Sequence, residues 1–211
     1  GVLVAAGNSV LNTYAVRPAL YVKAEAFTGG AEASPVLGDT VSFAGHEWYI
    51  IGTGLGGVTA PAGCYTLFAK YDDFGSTAFR AGASNTDRTA NYYKDSDLQK
   101  KMVEIANGFS EADRGNISPR ATLDGIAGES PTDQLLWPVS EAEWNSIDES
   151  LRAFPDHYWT RANREGEVDA FDGSDYIYCG VGANDDGTGL CIGSGVLVAA
   201  GNSVLNTYAV R

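Results

Sequence analysis

The feature that most constrains this chain is a sequence that occurs twice. Residues 1–17, GVLVAAGNSVLNTYAVR, return without a single change as residues 195–211. The offset is 194 residues (195 minus 1), and nothing inside that span repeats. The pattern therefore excludes a solenoid of short units and indicates one period of a longer repeat, followed by the start of the next period.

Three explanations fit this duplication. The chain is a piece of a protein built from tandem, near-identical domains, or it is a subunit that exchanges a terminal strand with its neighbours, or the segment was duplicated by engineering. Residues 1–27 have the alternating apolar residues of strands, and the stretch 28–35 that follows is polar and rich in small residues. A domain boundary is therefore expected near residues 28–35 and not at residue 1.

This boundary predicts how the units join. We expect residues 1–27 to be the closing strands of the preceding unit, packed in a domain other than the one formed by 37–194. Residues 28–36 are then a linker, and 37–211 form the main domain. In the natural protein, residue 194 is expected to continue into the next copy of residue 1. An unfinished sheet edge favours a strand from a neighbour, and a head-to-tail contact of this kind builds a filament. The residues predicted to carry assembly are Val16, Arg17, Pro18, Leu20, Val22, Val196 and Val198.

The composition limits the other partners. The chain has 211 residues, of which 44% are hydrophobic, which is enough for one sizeable core. Its formal net charge of -13 argues against nucleic acid, because phosphate binding needs a basic surface. No apolar run reaches the roughly 18 residues of a membrane span, and no basic region opens a signal peptide, so a signal or anchor is expected outside this sequence.

Local patterns predict an α+β domain with two helices, an antiparallel sheet and long irregular loops. Each helix opens with a capping box, Ser96 with Gln99 and Ser140 with Glu143. Leu136 and Trp144 are predicted to lie in the core. The predicted elements are a hairpin of 40–43 with 47–51, a strand at 64–70, a helix at 96–107, a short strand at 133–139 and a helix at 140–153.

A set of short segments spread over the chain carries a family resemblance: 37-LGDTVSF-43, 47-EW-48, 91-NYY-93, 96-SDL-98, 135-LL-136, 158-YWTR-161 and 15-AVRPAL-20. Together they resemble a bacterial domain family of surface proteins, frequent in gut Firmicutes, whose fold is similar to the C-type-lectin-like fold of formylglycine-generating enzymes. In that family a V-R-P-A-L strand closes the domain, whereas here it stands near the N-terminus, and W-L-R-S is replaced by Trp159-Thr160-Arg161-Ala162.

The resemblance implies a C-type-lectin-like fold and an extracellular or cell-surface setting, but no established activity. It does not place Cys64, Cys179 or Cys191 at the cysteines that formylglycine-generating enzymes use. We therefore do not expect an enzyme.

Two patterns that often mark active sites are better explained by structure. The sequence 52-GTGLGG-57 has the spacing of a dinucleotide-binding loop, but the residues that follow, with Pro61 among them, cannot begin a good helix. A hairpin loop is expected there. His46 and His157 are the chain's histidines, and neither has a partner at a metal-binding spacing.

The last third of the sequence contains the candidate ligand sites. Hard oxygen ligands on flexible loops suit calcium, although Asp-Gly clusters are also common in ordinary turns. Aromatic residues in the 158–190 loops suit carbohydrate or host protein, although they also suit a core, which is the favoured interpretation for Trp159 and Tyr178. The calcium ligands would be Asp169, Asp172, Asp175, Asn184, Asp185 and Asp186. The ligand-binding residues would be Tyr158, Trp159, Arg161 and Tyr176.

Cys179 and Cys191 stand at the two ends of a polar, Gly-rich loop. A loop-closing disulfide is plausible there in an oxidising compartment, and two buried free thiols are the alternative. The function expected from the sequence is a structural repeat unit of a secreted or cell-surface fibre or array, with neighbouring copies as partners. The first alternative is a ligand-binding adhesin domain that binds carbohydrate or host protein through the 158–190 loops. An enzyme of the formylglycine-generating type is the third and least favoured hypothesis.

Overall fold

The structure is a computed structural model, and it describes residues 13–27, 34–71, 73–81, 93–121, 131–152, 154, 158–160, 182–183 and 189–190. The strands are β1 Thr13–Ala15, β2 Pro18–Lys23, β3 Thr40–Phe43, β4 His46–Thr53, β5 Gly56–Gly57, β6 Cys64–Ala69, β7 Ser76–Ala78, β8 Ile117–Ser118, β9 Trp137–Pro138, β10 Gly182–Ala183 and β11 Gly189–Leu190. The helices are α1 Asp97–Gly108, α2 Glu111–Asn116, α3 Glu141–Ser146 and α4 Glu149–Arg152, with a 3-10 turn at Ala24–Phe27.

Seven of the described strands form one antiparallel sheet. Its order is β3-β4-β6-β2-β8, with β5 paired to β4 and β9 paired to β2. Two further pairs, β1 with β7 and β10 with β11, are separate two-stranded sheets. The described part of the chain is therefore a mixed α+β structure with antiparallel sheets and a few short helices.

The hairpin predicted around residues 44–46 is confirmed as β3 and β4. Its two-residue turn has a positive φ at both Ala44 (51°) and Gly45 (80°), the backbone twist that suits a tight hairpin. Glycine adopts this conformation freely, whereas Ala44 adopts it at a cost. The strand predicted at 64–70 is confirmed as β6, which pairs with β4 from Trp48 opposite Ala69 onward.

β2 occupies the centre of the sheet, between β6 on one side and β8 and β9 on the other. Pro18 stands at its first position, where a missing N–H is tolerated. Ala19, Leu20 and Val22 are fully buried, as expected for a strand covered on both faces. This arrangement differs from the expectation that residues 1–27 pack outside the 37–194 body. In the single chain, β2 completes the sheet of its own body.

α1 is confirmed within one residue of its predicted bounds. The Ser96 side chain accepts a hydrogen bond from the backbone N–H of Gln99 at 3.0 Å, as a capping box requires. The Gln99 side chain, however, accepts from the N–H of Asp95 and not from that of Ser96. Leu98 and Met102 face the core, where Leu98 N–H also donates to the carbonyl oxygen of Phe79.

The second predicted helix is wrong in its length, since two short helices replace it. The complete capping box of Ser140 and Glu143 opens α3, as predicted. α3 ends at Ser146, because the Asp148 side chain accepts from the N–H and the hydroxyl of Ser150 and so opens α4 instead. Of the strand predicted at 133–139, only β9 and an isolated bridge between Arg120 and Gln134 form.

The core lies between the sheet and the helices and is rich in aromatic rings. Trp48, Trp137 and Trp159 are completely buried. Leu136 and Trp144, both predicted for the core, are 2% exposed. Burial of large side chains in this way is the main favourable contribution to folding.

Candidate functional site

Residues 13–23, called the closing segment below, run through the middle of the structure. β1 pairs with β7, and the N–H of Val16 donates to the carbonyl oxygen of Gly75 at 2.8 Å. β2 then crosses the large sheet, where Lys23 ends opposite Cys64. The described pairings of the segment are all with strands distant in sequence, so it folds only together with the rest of the domain.

Arg17 connects β1 to β2, and its side chain is fully buried. Its Nε donates to the carbonyl oxygen of Ala69 at 2.8 Å. One Nη donates to the carbonyl oxygen of Arg152 at 2.6 Å, and the other donates to that of Leu151 at 2.7 Å. A single guanidinium thus ties the end of β6 to the end of α4, where the last helical carbonyl groups lack partners within the helix.

Aromatic rings surround the same guanidinium. Its central carbon lies 3.9 Å from the ring centroid of Phe68, 4.6 Å from that of Phe154 and 4.9 Å from that of Tyr158. Cation–π attraction is stronger at such a desolvated position than at an exposed one. The arginine pocket, as the term is used below, is formed by Phe68, Ala69, Leu151, Arg152, Phe154 and Tyr158.

Burial lowers the pKa of Arg17 to about 10, mainly through loss of solvation. Since this value remains well above neutral pH, the side chain carries its charge at pH 7. A buried charge is costly unless hydrogen bonds compensate for the lost water. The guanidinium of Arg17 donates from three separate nitrogens to three carbonyl groups, whereas the three donors of a lysine share one nitrogen. The geometry of the pocket therefore suits arginine.

Of the two described aromatic residues predicted to bind a ligand, Tyr158 lies in the arginine pocket, and Trp159 packs beside β1 against Tyr14 and Phe79. The Tyr158 hydroxyl accepts from Nε1 of Trp144 at 2.9 Å. Nε1 of Trp159 donates to the carbonyl oxygen of Thr77 at 2.7 Å, and its backbone N–H donates to Ala15. Both rings are 0% exposed. Their positions therefore favour the core interpretation and give no support to ligand contact.

The glycines of 52-GTGLGG-57 lie in a hairpin between β4 and β5, as expected for a structural loop. A Cβ on Gly57, whose φ is +78°, would lie 2.3 Å from the carbonyl oxygen of Ile51. A Cβ on Gly52 would lie 2.0 Å from that of Val58. Close approach of the backbone, and not a phosphate, accounts for glycine at these two positions.

His46 is the first residue of β4. Its Nδ1 lies 3.3 Å from Oδ2 of Asp73, and its ring packs 4.5 Å from that of Phe74. This is the environment of a half-buried strand residue beside a turn. His157 lies outside the described residues.

Many predicted site residues also lie outside the described part of the chain. Within that part, no group of three or more His, Cys, Asp or Glu side chains could hold a metal ion, and Cys64 is a free, buried thiol. The predicted residues outside it are Asp169, Asp172, Asp175, Asn184, Asp185 and Asp186 of the calcium site, Arg161 and Tyr176 of the ligand site, Cys179 and Cys191 of the disulfide, and Val196 and Val198 of the assembly set.

A groove of about 580 Å³ lies beside the last residues of the predicted linker and Leu37. Its wall includes Val36, Leu37 and Leu55, and none of the described residues that line it is charged. Leu55 is completely exposed. The groove therefore contains none of the convergent charged groups that would define a catalytic or metal site.

Comparison of the chain with protein-family models, with curated proteins and with solved structures finds no match. The resemblance to the bacterial surface-protein domain therefore stays a prediction. None of the described helices combines the length and the apolar character that crossing a membrane requires.

Sequence reasoning included Arg17 in the assembly set but missed its pocket. One local signal was available, because Arg17 is a charged residue inside the otherwise apolar run from Ala15 to Val22. A charge in such a run requires buried partners. The partners themselves come from residues 68–69 and 151–158, which no local pattern connects to residue 17.

Proposed function

We propose that this chain is a structural repeat unit of a secreted or cell-surface fibre or array, with units joined in tandem or by strand complementation. One observation carries the proposal. The sequence 13-TYAVR-17, which supplies β1 and the buried arginine, occurs again as 207-TYAVR-211. The proposed role of the chain is structural and not catalytic.

The arithmetic of the repeat explains why a second copy suggests assembly. Each body needs one closing segment, because β1, Arg17 and β2 fill one position in one domain. A chain in which the start of this segment also follows the body has more closing sequence than its own body uses. In a tandem array, residue 194 would be followed by the next copy of residue 1, and each body would be flanked by a closing segment on both sides.

The proposed fold is C-type-lectin-like and the proposed setting is the bacterial cell surface, and both rest on the resemblance of the sequence. Its V-R-P-A-L motif is the strand that closes the domain in that family. Support comes from the central position of Val16 to Leu20 in this structure, where these five residues are buried. The described strand pairings of β2 are with strands distant in the chain, so the same position could be filled from either end of the body.

The mass of the native polypeptide tests the proposal. After full denaturation and reduction, a tandem array would have the mass of several 194-residue repeats. An assembly joined only by strand complementation would instead fall apart into single units, although its mass before denaturation would be that of an oligomer. A single unit under both conditions would contradict the proposal.

The adhesin alternative makes different demands. It depends on the 158–190 loops, and the two described aromatic side chains of its predicted ligand site, Tyr158 and Trp159, are buried. A glycan array and a calcium titration on the same protein would reveal it.

A further inference from the structure

The contacts of the closing segment have a property that bears on how units join. The described strand pairings of β1 and β2 are with β6, β7, β8 and β9, which lie beyond the linker. The backbone connection to the body runs through residues 24–36. A segment held in this way makes the same contacts whether it belongs to the same chain or to another copy.

Identical contacts change the energetics of exchange. When a strand moves from its own body to that of a neighbour, its hydrogen bonds and buried area are lost once and regained once. The net free energy of exchange therefore has two parts, the change in linker conformation and the entropy lost when two chains associate. A high local concentration reduces the second part. An array of units provides such a concentration.

The arginine pocket supplies the selectivity that an exchange of strands needs. Without an arginine at the position of Arg17, the carbonyl oxygens of Ala69 and Leu151 would lose their described side-chain donor, and that of Arg152 would keep only the Tyr158 hydroxyl. A buried acceptor without a donor is strongly unfavourable. A foreign strand could match the backbone pairing of β2, but it would be rejected unless it carried arginine between β1 and β2.

We infer that the closing position is a recognition site for the closing segment of a second copy of this chain, and that Arg17 determines its specificity. This inference rests on the proposed function and names the partner, the register and the deciding residue. In the complex, β2 of one copy lies between β6 and β9 of the other, with its Arg17 in the arginine pocket of that copy.

A cysteine trap tests the inference on the full chain. Lys23 of β2 lies directly opposite the native Cys64 of β6, and directly opposed residues have the separation that a disulfide needs. A donor chain carries Lys23→Cys with Cys64→Ser, and an isotope-labelled acceptor chain is otherwise natural. The two are unfolded together, refolded and oxidised, and linked peptides are mapped by mass spectrometry.

The expected product is a disulfide between residue 23 of the donor and residue 64 of the acceptor, with a yield that rises with chain concentration. The single variant Lys23→Cys, refolded alone at low concentration, should form the same link within one chain and so confirm the register. Adding Arg17→Lys to the donor should lower the yield between chains about tenfold, the factor that corresponds to 1.4 kcal/mol.

A second pair of cysteine positions keeps the test decisive if a variant of the first pair does not fold. Thr13 of β1 lies opposite Ala78 of β7, so Thr13→Cys in one chain and Ala78→Cys in the other repeat the trap at the opposite end of the segment. The inference would be overturned if Lys23→Cys linked to Cys64 within single chains but neither pair linked between chains at high concentration. Equal yields with Arg17 and with lysine would overturn the role of Arg17.

These outcomes are distinguishable from failure of the proposed function. A native polypeptide with the mass of several repeats, together with no link between chains, would leave the tandem array standing and remove strand exchange. A native protein of one unit that also shows no link would remove both.

Discussion

The guanidinium carbon of Arg17 lies 3.9 Å from the centroid of the Phe68 ring, although 51 positions (68 minus 17) separate the two residues in the chain. The next residue, Ala69, accepts a hydrogen bond from Nε of the same guanidinium. The end of β6 therefore recognises Arg17 through both a ring and a carbonyl group. β6 also pairs with β2 along its length. The same strand of the body therefore fixes the register of the closing segment and contacts its arginine.

Replacement of Arg17 should cost more stability than is usual for arginine. Arg17→Met leaves the carbonyl oxygens of Ala69 and Leu151 without their described side-chain donor, so we expect the free energy of unfolding to fall by about 3 kcal/mol or more. Arg17→Lys keeps the charge but not the fork, and we expect a loss of about 1 to 3 kcal/mol. Urea denaturation measures both. The control is Arg114→Lys, because Arg114 makes an exposed hydrogen bond to Asn107 and should change stability by about 0.5 kcal/mol or less. Equal losses at the two positions would refute the pocket.

Leu136→Ala and Trp144→Ala should act through stability. Both side chains are 2% exposed, and large-to-small changes in a core cost about 2 to 5 kcal/mol. Leu55→Ala is the matched control, because Leu55 is fully exposed and its truncation leaves no cavity. Thermal melts of the three variants would test the assignment, and unchanged melting temperatures for the first two would show that it is wrong.

Gly57→Ala should destabilise the hairpin between β4 and β5. The positive φ of Gly57 disfavours alanine, and the new Cβ would collide with the carbonyl oxygen of Ile51, so we expect a loss above about 1 kcal/mol. Gly54→Ala in the same loop is the control, because a Cβ there meets nothing within 4 Å. If the loop instead bound a dinucleotide, addition of NAD would raise the melting temperature of the natural chain, and we expect no such rise.

Asp97 should contribute a defined part of the acid sensitivity. Burial acts to raise the pKa of this carboxyl, but hydrogen bonds from Lys100 and from the N–H of Ala81 outweigh it, and the pKa falls below its ordinary value of 3.8. The carboxylate then stabilises the fold above about pH 4, and that contribution disappears as the pH falls further. Asp97→Asn should therefore lower stability at pH 7 and flatten the loss of stability below pH 4. Parallel curves of unfolding free energy against pH for the variant and the natural chain would contradict this.

A closed disulfide between Cys179 and Cys191 is predicted in material from the native source. Closing a loop of 13 residues should stabilise the domain by about 3 kcal/mol, so reduction should lower the melting temperature. Peptide mapping without reductant is the direct measurement. Two free thiols at these positions would end the prediction.

Local signals account for what the sequence predicted correctly. The start of α1 could be read from Ser96 and Gln99, and the start of α3 from Ser140 and Glu143, because a helix cap involves residues three positions apart. α2 was missed, although Ser110 followed by Asp113 has the same spacing, and the Ser110 side chain does accept from the N–H of Asp113.

Competition between local signals explains the errors. The apolar pattern of 140–153 is continuous, but the Asp148 carboxylate offers the N–H of Ser150 a hydrogen bond outside the helix. The arginine pocket could not be predicted, because Arg17, Phe68 and Leu151 meet only after the sheet has formed. The hydrophobic periodicity of a sequence describes one helix or strand at a time and carries no information about contacts between distant elements.

The central position of β2 also means that it is synthesised well before one of the strands with which it pairs. Ala19 pairs with Trp137, which is translated 118 residues later (137 minus 19). At the usual pace of translation, the two residues leave the ribosome on the order of ten seconds apart. During that interval Ala19, Leu20 and Val22 cannot yet enter the finished sheet of their own body, and unpaired apolar strands at high concentration aggregate. A closing segment that is to complete its own body therefore needs shielding until translation has passed Trp137.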